Sequence, residues 1–224
     1  MAIIDISQPI RSGIPTWPGD TAFRAERTWQ LGPECPVNVS RIEMSTHTGT
    51  HADAPFHYRG DGLPIADVAL DSYLGPCVVV DVSAAQGSVG LADLSEAAVT
   101  APRVLLRLFR EMPVGWPNFI GIDPALIDRL ATLGVRLLGV DTPSLDPEKS
   151  KEMAAHRAID KHGMAILEGL LLDGVVPGPY DLVALPLPFT GLDASPIRAV
   201  QTQPLRSPTR AGAASRSGHE PRAL

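Results

Sequence analysis

Cysteine is nearly absent: Cys35 and Cys77 are the only two in 224 residues. That excludes a disulfide framework and a zinc site built from four thiolates. Long apolar runs are missing too. Stretches such as Val78 to Val80 and Leu170 to Leu172 fall far short of the roughly 20 residues a membrane helix needs. The opening Met1-Ala2-Ile3-Ile4-Asp5 lacks the charged and extended apolar regions of a secretory signal, so a soluble cytoplasmic protein is expected. Positive charge is also scarce, with 19 Lys and Arg against 25 Asp and Glu. The net charge of −6, without a basic stripe in the body, argues against a nucleic-acid partner.

What the chain does have is 44% hydrophobic residues, enough for one good core, and 22 prolines with 20 glycines spread along its length. Such a chain is rich in turns and shaped loops, which suits a site assembled from several of them. One larger domain is expected over residues 1–202. From about Gln203 onward arginines stand among Ser, Pro, Gly and Ala, and the composition predicts a disordered basic tail over 203–224.

Three of the six histidines fall within eleven residues, in the stretch Ser45-Thr46-His47-Thr48-Gly49-Thr50-His51-Ala52-Asp53-Ala54-Pro55-Phe56-His57-Tyr58. The order His-x3-His-x-Asp-x3-His is a metal-site spacing, and imidazole with carboxylate suits zinc or manganese. Gly49 and Pro55 rule out one continuous helix; a strand end and a shaped loop are expected. The plainer reading is a set of ordinary loop histidines with Asp53 as a helix cap. It would serve for one isolated histidine, less well for a cluster.

Periodicity predicts an α/β fold, a mixed sheet with flanking helices. Ile3 to Ile6 reads as a first strand, and Phe23 to Leu31 with Val37 to Met44 as a hairpin-like pair whose second strand delivers His47. Val68 to Leu74 is expected to be a short helix, Cys77 to Val82 a strand, Leu91 to Ala98 a helix and Val104 to Leu108 a buried strand. The clearest helix has Asp123 as its cap, Pro124 at its first position, an apolar stripe of Leu126, Ile127, Leu130 and Leu133, and Gly134 as its end. Val135 to Val140 follows as a buried strand, Met153 to His162 as a helix, Met164 to Leu167 as a strand ending at Glu168, and Asp181 to Leu185 as a last strand. Strand, helix and strand alternate here as in βαβ units. Asp141, leaving a strand at its C-terminal end, reads either as an orienting partner for a ligand histidine or as a turn former. Taken alone, Trp17 would be structural, His156 a solvated helix residue, Glu168 a surface charge and His162 a helix end.

The histidine stretch, preceded by Thr16-Trp17-Pro18-Gly19-Asp20 and followed by Leu138-Gly139-Val140-Asp141-Thr142-Pro143-Ser144-Leu145-Asp146, resembles the bacterial kynurenine formamidases of the cyclase-like metal hydrolases. Ala165-Ile166-Leu167-Glu168-Gly169 and Gly191-Leu192-Asp193-Ala194-Ser195-Pro196 extend the resemblance, which spans about Ile3 to Val200. It implies a swivelling β/β/α fold. It implies metal ligation by His47, His51, Asp53, His156 and Glu168, proton transfer by His57, and substrate contact by Trp17. Five ligands exceed the needs of one tetrahedral ion that keeps a water. Two divalent ions are therefore expected, zinc first, with manganese or cobalt also compatible. The implied reaction is hydrolysis of N-formyl-L-kynurenine to L-kynurenine and formate in tryptophan breakdown, by a homodimer. A related amidase or cyclic-imide hydrolase of the isatin type is the alternative within enzymes. A metal-dependent binding protein without catalysis is the alternative outside them.

Overall fold

The computed structural model describes residues 2–203. The expected tail therefore lies, from residue 204 on, outside the described residues. In chain order the first strands are β1 (Ile3–Asp5), β2 (Arg24–Trp29), β3 (Val39–Glu43) and β4 (His51–Asp53), and the short helix α1 (Pro55–Tyr58) follows. Then come β5 (Leu74–Asp81), β6 (Ser88–Val89), β7 (Arg103–Arg107), β8 (Gly121–Ile122), α2 (Pro124–Thr132) and β9 (Leu137–Val140). The chain closes with α3 (Ala154–His162), β10 (Ala165–Glu168), β11 (Gly178–Val183), β12 (Ala194–Pro196) and β13 (Val200–Thr202).

Nine strands form one mixed sheet in the order β1-β13-β11-β5-β7-β9-β10-β4-β12. The run β5-β7-β9-β10 is parallel, as the βαβ reading requires, and the pairs flanking it are antiparallel. Strands β7, β9 and most of β10 are buried, so they read as continuous apolar runs instead of alternating ones. Helices α2 and α3 cover one face, where Ile127, Leu130 and Ile159 pack on Leu106, Leu138 and Ile166. On the other face Ile6, Leu105, Leu137, Leu167 and Leu170 form a second core.

Helix α2 starts where its cap predicts: the Asp123 carboxylate accepts the Ala125 N–H at 2.9 Å, with Pro124 first in the helix. The expected helix over Leu91 to Ala98 is reduced to one 3-10 turn, Glu96–Ala98, and that over Val68 to Leu74 to another, Leu70–Tyr73. Both segments are too short to sustain cooperative helix and are held by turns between strands. The hairpin pair is present as β2 and β3, a separate ribbon exposed throughout. Among the described residues no helix is long and apolar enough to cross a membrane.

Candidate metal centre

Sheet register assembles the site. Strand β4 lies between β10 and β12, with Glu168 opposite His51, and Ala194 opposite Asp53. Side chains alternate along a strand, so His51 and Asp53 share one side while Ala52 enters the core on the other. Gly169 lets the two ligand-bearing segments close on each other: at φ +63 it lies so near that a Cβ would run into the Gly49 carbonyl. Thr50 Oγ1 donates to the Gly169 carbonyl at 2.6 Å and the Gln8 amide donates to it at 2.9 Å. His156 arrives from the first turn of α3, and His57 from α1.

Five of the expected residues meet in one buried cluster. His47 Nδ1 stands 3.2 Å from Asp53 Oδ1, and His51 Nε2 stands 3.4 Å from both Asp53 Oδ1 and Glu168 Oε2. His156 Nε2 faces Asp53 Oδ2 at 3.4 Å and Glu168 Oε1 at 3.5 Å. Asp53 and Glu168 are 2% and 3% exposed. His57 stands at the edge, with its ring 4.3 Å from His47 and 5.9 Å from His156 between centroids.

These residues fit a cation. Ligands held at about 2.1 Å around a tetrahedral ion stand about 3.4 Å from one another, the spacing found here. The imidazole of His51 carries the more specific sign. Its Nδ1 donates to the Gly49 carbonyl at 2.9 Å, which leaves Nε2 of the neutral ring as a bare lone pair. That nitrogen and Asp53 Oδ1 are both buried without a hydrogen-bond partner among the described residues. Acceptors facing acceptors in a buried place need a positive charge between them. Without one, the cluster holds protons: burial pushes His47 down, yet Asp193 and Asp53 carry its pKa up to about 10. Burial likewise opposes charge on His156, but Asp146, Asp53 and Glu168 hold its affinity for a proton well above the imidazole range. A divalent ion would take the place of those protons.

Two carboxylates that the sequence reading did not single out support the ligand rings. Asp146 accepts from His156 Nδ1 at 2.6 Å and from the Ala155 and His156 backbone N–H groups at 3.0 and 3.1 Å, so it fixes both ring and helix start. That is the usual carboxylate support behind a ligating histidine. Asp193 Oδ2 lies 2.9 Å from His47 Nε2 and 3.4 Å from His57 Nδ1. The His47 bond, ahead of the opposing effect of burial, holds Asp193 well below the usual carboxylate range. Both lie in blocks of the family resemblance, Asp146 closing Asp141 to Asp146 and Asp193 within Gly191 to Pro196, but nothing local marks either as a partner of histidine. Asp141 does neither thing expected of it. Its carboxylate accepts the Leu108 and Phe109 N–H groups at 2.9 and 3.0 Å, joining β9 to the loop after β7.

The cluster opens on a cavity of about 560 Å³ lined by Trp17, His47, His51, His57 and Glu168, while Asp53 and His156 lie beneath its floor. Its upper wall is aromatic and apolar. Trp17 meets Trp116 edge to face at 5.5 Å and Phe119 at 6.5 Å, and Met112, Pro113 and Val114 continue the surface. Trp116 Nε1 donates to Glu148 at 2.7 Å. The seven residues to which the resemblance gives roles thus lie together at or beneath one cavity.

Residues 4–147 match the family model described as Putative cyclase. Among solved structures, one titled as a potential metal-dependent hydrolase with cyclase activity is 28% identical, with TM-score 0.75, covering 89% of this chain and 96% of its own. A predicted metal-dependent hydrolase from Bacillus stearothermophilus is 27% identical, with TM-score 0.75 and coverage of 89% and 97%. Isatin hydrolase A from Labrenzia aggregata, bound to benzyl benzoate, is 25% identical, with TM-score 0.77 and coverage of 89% and 93%.

Proposed function

The chain belongs to the cyclase family, and from that membership we propose that it is a metal-dependent amide hydrolase cleaving N-formyl-L-kynurenine to L-kynurenine and formate. The observation that carries the hydrolase reading is the buried cage of bare acceptors opening on one cavity, with His57 at its edge. His47, His51, Asp53, His156 and Glu168 would hold two divalent ions, zinc first. Support for two comes from the carboxylates, each of which turns one oxygen toward the His51 side and the other toward His156. Divalent ions held there supply Lewis acidity and a water whose pKa is lowered toward about 7.

The chain's own residues do the rest. Trp17 and Trp116 offer an aromatic surface for the aryl ring, with Phe119 packed against Trp17 outside the lining. His57 bonds through Nδ1 to Asp193, which leaves Nε2 free to take the proton that the attacking water gives up and pass it to the departing aryl amine nitrogen. Asp193 holds that ring in orientation and in the matching tautomer.

A second reading, hydrolysis of a cyclic imide of the isatin type, is favoured by the likeness to isatin hydrolase A. One assay separates the readings: formate release from N-formyl-L-kynurenine beside ring opening of isatin, before chelation, after it, and after zinc or manganese is restored. Activity on the formamide should vanish with chelator and return with metal. His57→Ala should lower kcat about 10²- to 10⁴-fold while keeping its metal. Turnover of isatin alone would replace the formamidase reading. Metal binding with no turnover of either, and no effect of His57→Ala on ligand binding, would leave a binding protein.

A further inference from the structure

The cavity contains charge that neither the cage nor the proton transfer uses. Its charged lining consists of Arg11, Asp20, Asp141, Asp146 and Glu168 besides the histidines. Three of the four carboxylates are already engaged, Asp141 with two backbone N–H groups, Asp146 with His156, and Glu168 with the cage and the Leu145 N–H at 2.8 Å. Asp20 is not. Its carboxylate meets, among the described residues, only the N–H of its neighbour Thr21, at 2.6 Å. Among the described residues Arg11 is the one guanidinium or ammonium on the lining, and its side chain has neither an ion pair nor a hydrogen bond.

Both groups ride on the loop that presents Trp17, and that loop is tied to the cage. The Gln8 N–H donates to Thr50 Oγ1 at 2.8 Å, and the Gln8 side chain reaches Gly169, beside Glu168. Ile14 is buried and lies against Gly49. One turn closes from the Ile14 N–H to the Arg11 carbonyl at 3.0 Å, and another from the Asp20 N–H to the Trp17 carbonyl at 2.9 Å. A cation, an aromatic face and an anion, both charges unpaired among the described residues, are thereby carried on one segment whose backbone is tied to the cage.

We propose that Arg11 and Asp20 read a zwitterionic amino-acid tail on the substrate, with Arg11 pairing the α-carboxylate and Asp20 the α-ammonium while the aryl group lies against Trp17. The proposal rests on the formamidase reading and narrows it to aryl formamides that carry such a tail. A guanidinium matches a carboxylate through two parallel N–H bonds, a geometry that lysine lacks. An aryl amide or imide without the tail leaves both groups solvated and gains nothing from them.

The test compares N-formyl-L-kynurenine with 2′-formamidoacetophenone, the same aryl ketone without the amino acid, and with analogues that lack only the amine or only the carboxylate. Wild type, Arg11→Met and Asp20→Asn are assayed on each. Arg11→Met should raise KM about tenfold to a hundredfold for substrates that bear the carboxylate and leave the others unchanged. Asp20→Asn should do the same for those that bear the amine. Titration calorimetry of L-kynurenine against 2-aminoacetophenone supplies a binding readout independent of turnover. Equal losses on tailed and tailless substrates, or no loss on either, would overturn the proposal while the formamidase reading stands. A wild type that hydrolyses none of the four would remove both.

Discussion

The floor of the pocket is made of strands and its wall of loops. His51 and Asp53 lie on β4 and Glu168 ends β10, all within 3% exposure, with Asp146 and Asp193 fixing the histidine rings behind and beside them. On the wall, Trp17 is 36% exposed and Val114 is open to solvent on every side. Shifting β4 by one residue would send His51 and Asp53 to the opposite face, so the floor is specified by the whole sheet. A wall side chain can be exchanged at a local cost. The floor thus gathers the groups that could hold a cation, and on the proposed reading the wall is where one substrate is told from another.

The sharpest way to break that division is Asp53→Asn, which keeps the shape of a floor ligand and removes its charge. Asp53 bridges the His51 and His156 sides of the cage, so its loss should abolish both metal binding and turnover. Far-ultraviolet circular dichroism should stay that of the wild type, because the strand pairing of β4 is made by backbone. Metal analysis decides the point. A variant with full metal content and no activity would move Asp53 from ligand to proton carrier.

The same division governs what the sequence revealed. Helix α2 was legible because its cap, its proline and its apolar stripe are all local, and β9, α3 and β10 followed from the alternation. Strands β6, β8, β12 and β13 are two or three residues long and have no period to detect. Of the cage, His47, His51 and Asp53 announce themselves by density. His156 and Glu168 drew notice only through the family resemblance, because the antiparallel pairing of β10 with β4 that brings Glu168 in is a nonlocal fact. Asp146 and Asp193 stood in blocks of the resemblance without a role: a carboxylate in a loop becomes a histidine partner only once the sheet has put the two together.

Asp141 stands where floor meets wall, and it sharpens the comparison by pH. Burial raises its carboxyl to about 7, against the opposing effect of the Phe109 and Leu108 N–H groups, from an ordinary value of 3.8. Between those values this carboxyl binds more protons in the folded state than in the unfolded chain, so its contribution to stability falls as pH rises through the window and levels off above about 7. The full span corresponds to about 4 kcal/mol. Melts of chelator-treated wild type and Asp141→Asn from pH 5 to pH 8 should differ by this slope, the protons on His47 and His156 being common to both. Equal slopes in both proteins would mean that the two N–H groups keep Asp141 ionised throughout, tying wall to floor by charge.

The smallest expected effect lies on the wall itself. Trp17 contacts Trp116 and Phe119 at their edges and turns the rest of its surface to the cavity. An aromatic pair contributes about 0.5–1.5 kcal/mol beyond area, so Trp17→Ala should raise KM for an aryl formamide about threefold to tenfold. Stacking on the ring is the same in ground state and transition state, and kcat should therefore hold. Trp17→Phe should recover part of the loss. The competing role, a plug for a gap among loops, predicts a different pattern: a lowered melting temperature with KM unchanged. A fall in kcat with KM intact would mean that the indole also positions the amide over the cage, and the boundary between wall and floor would then run through Trp17.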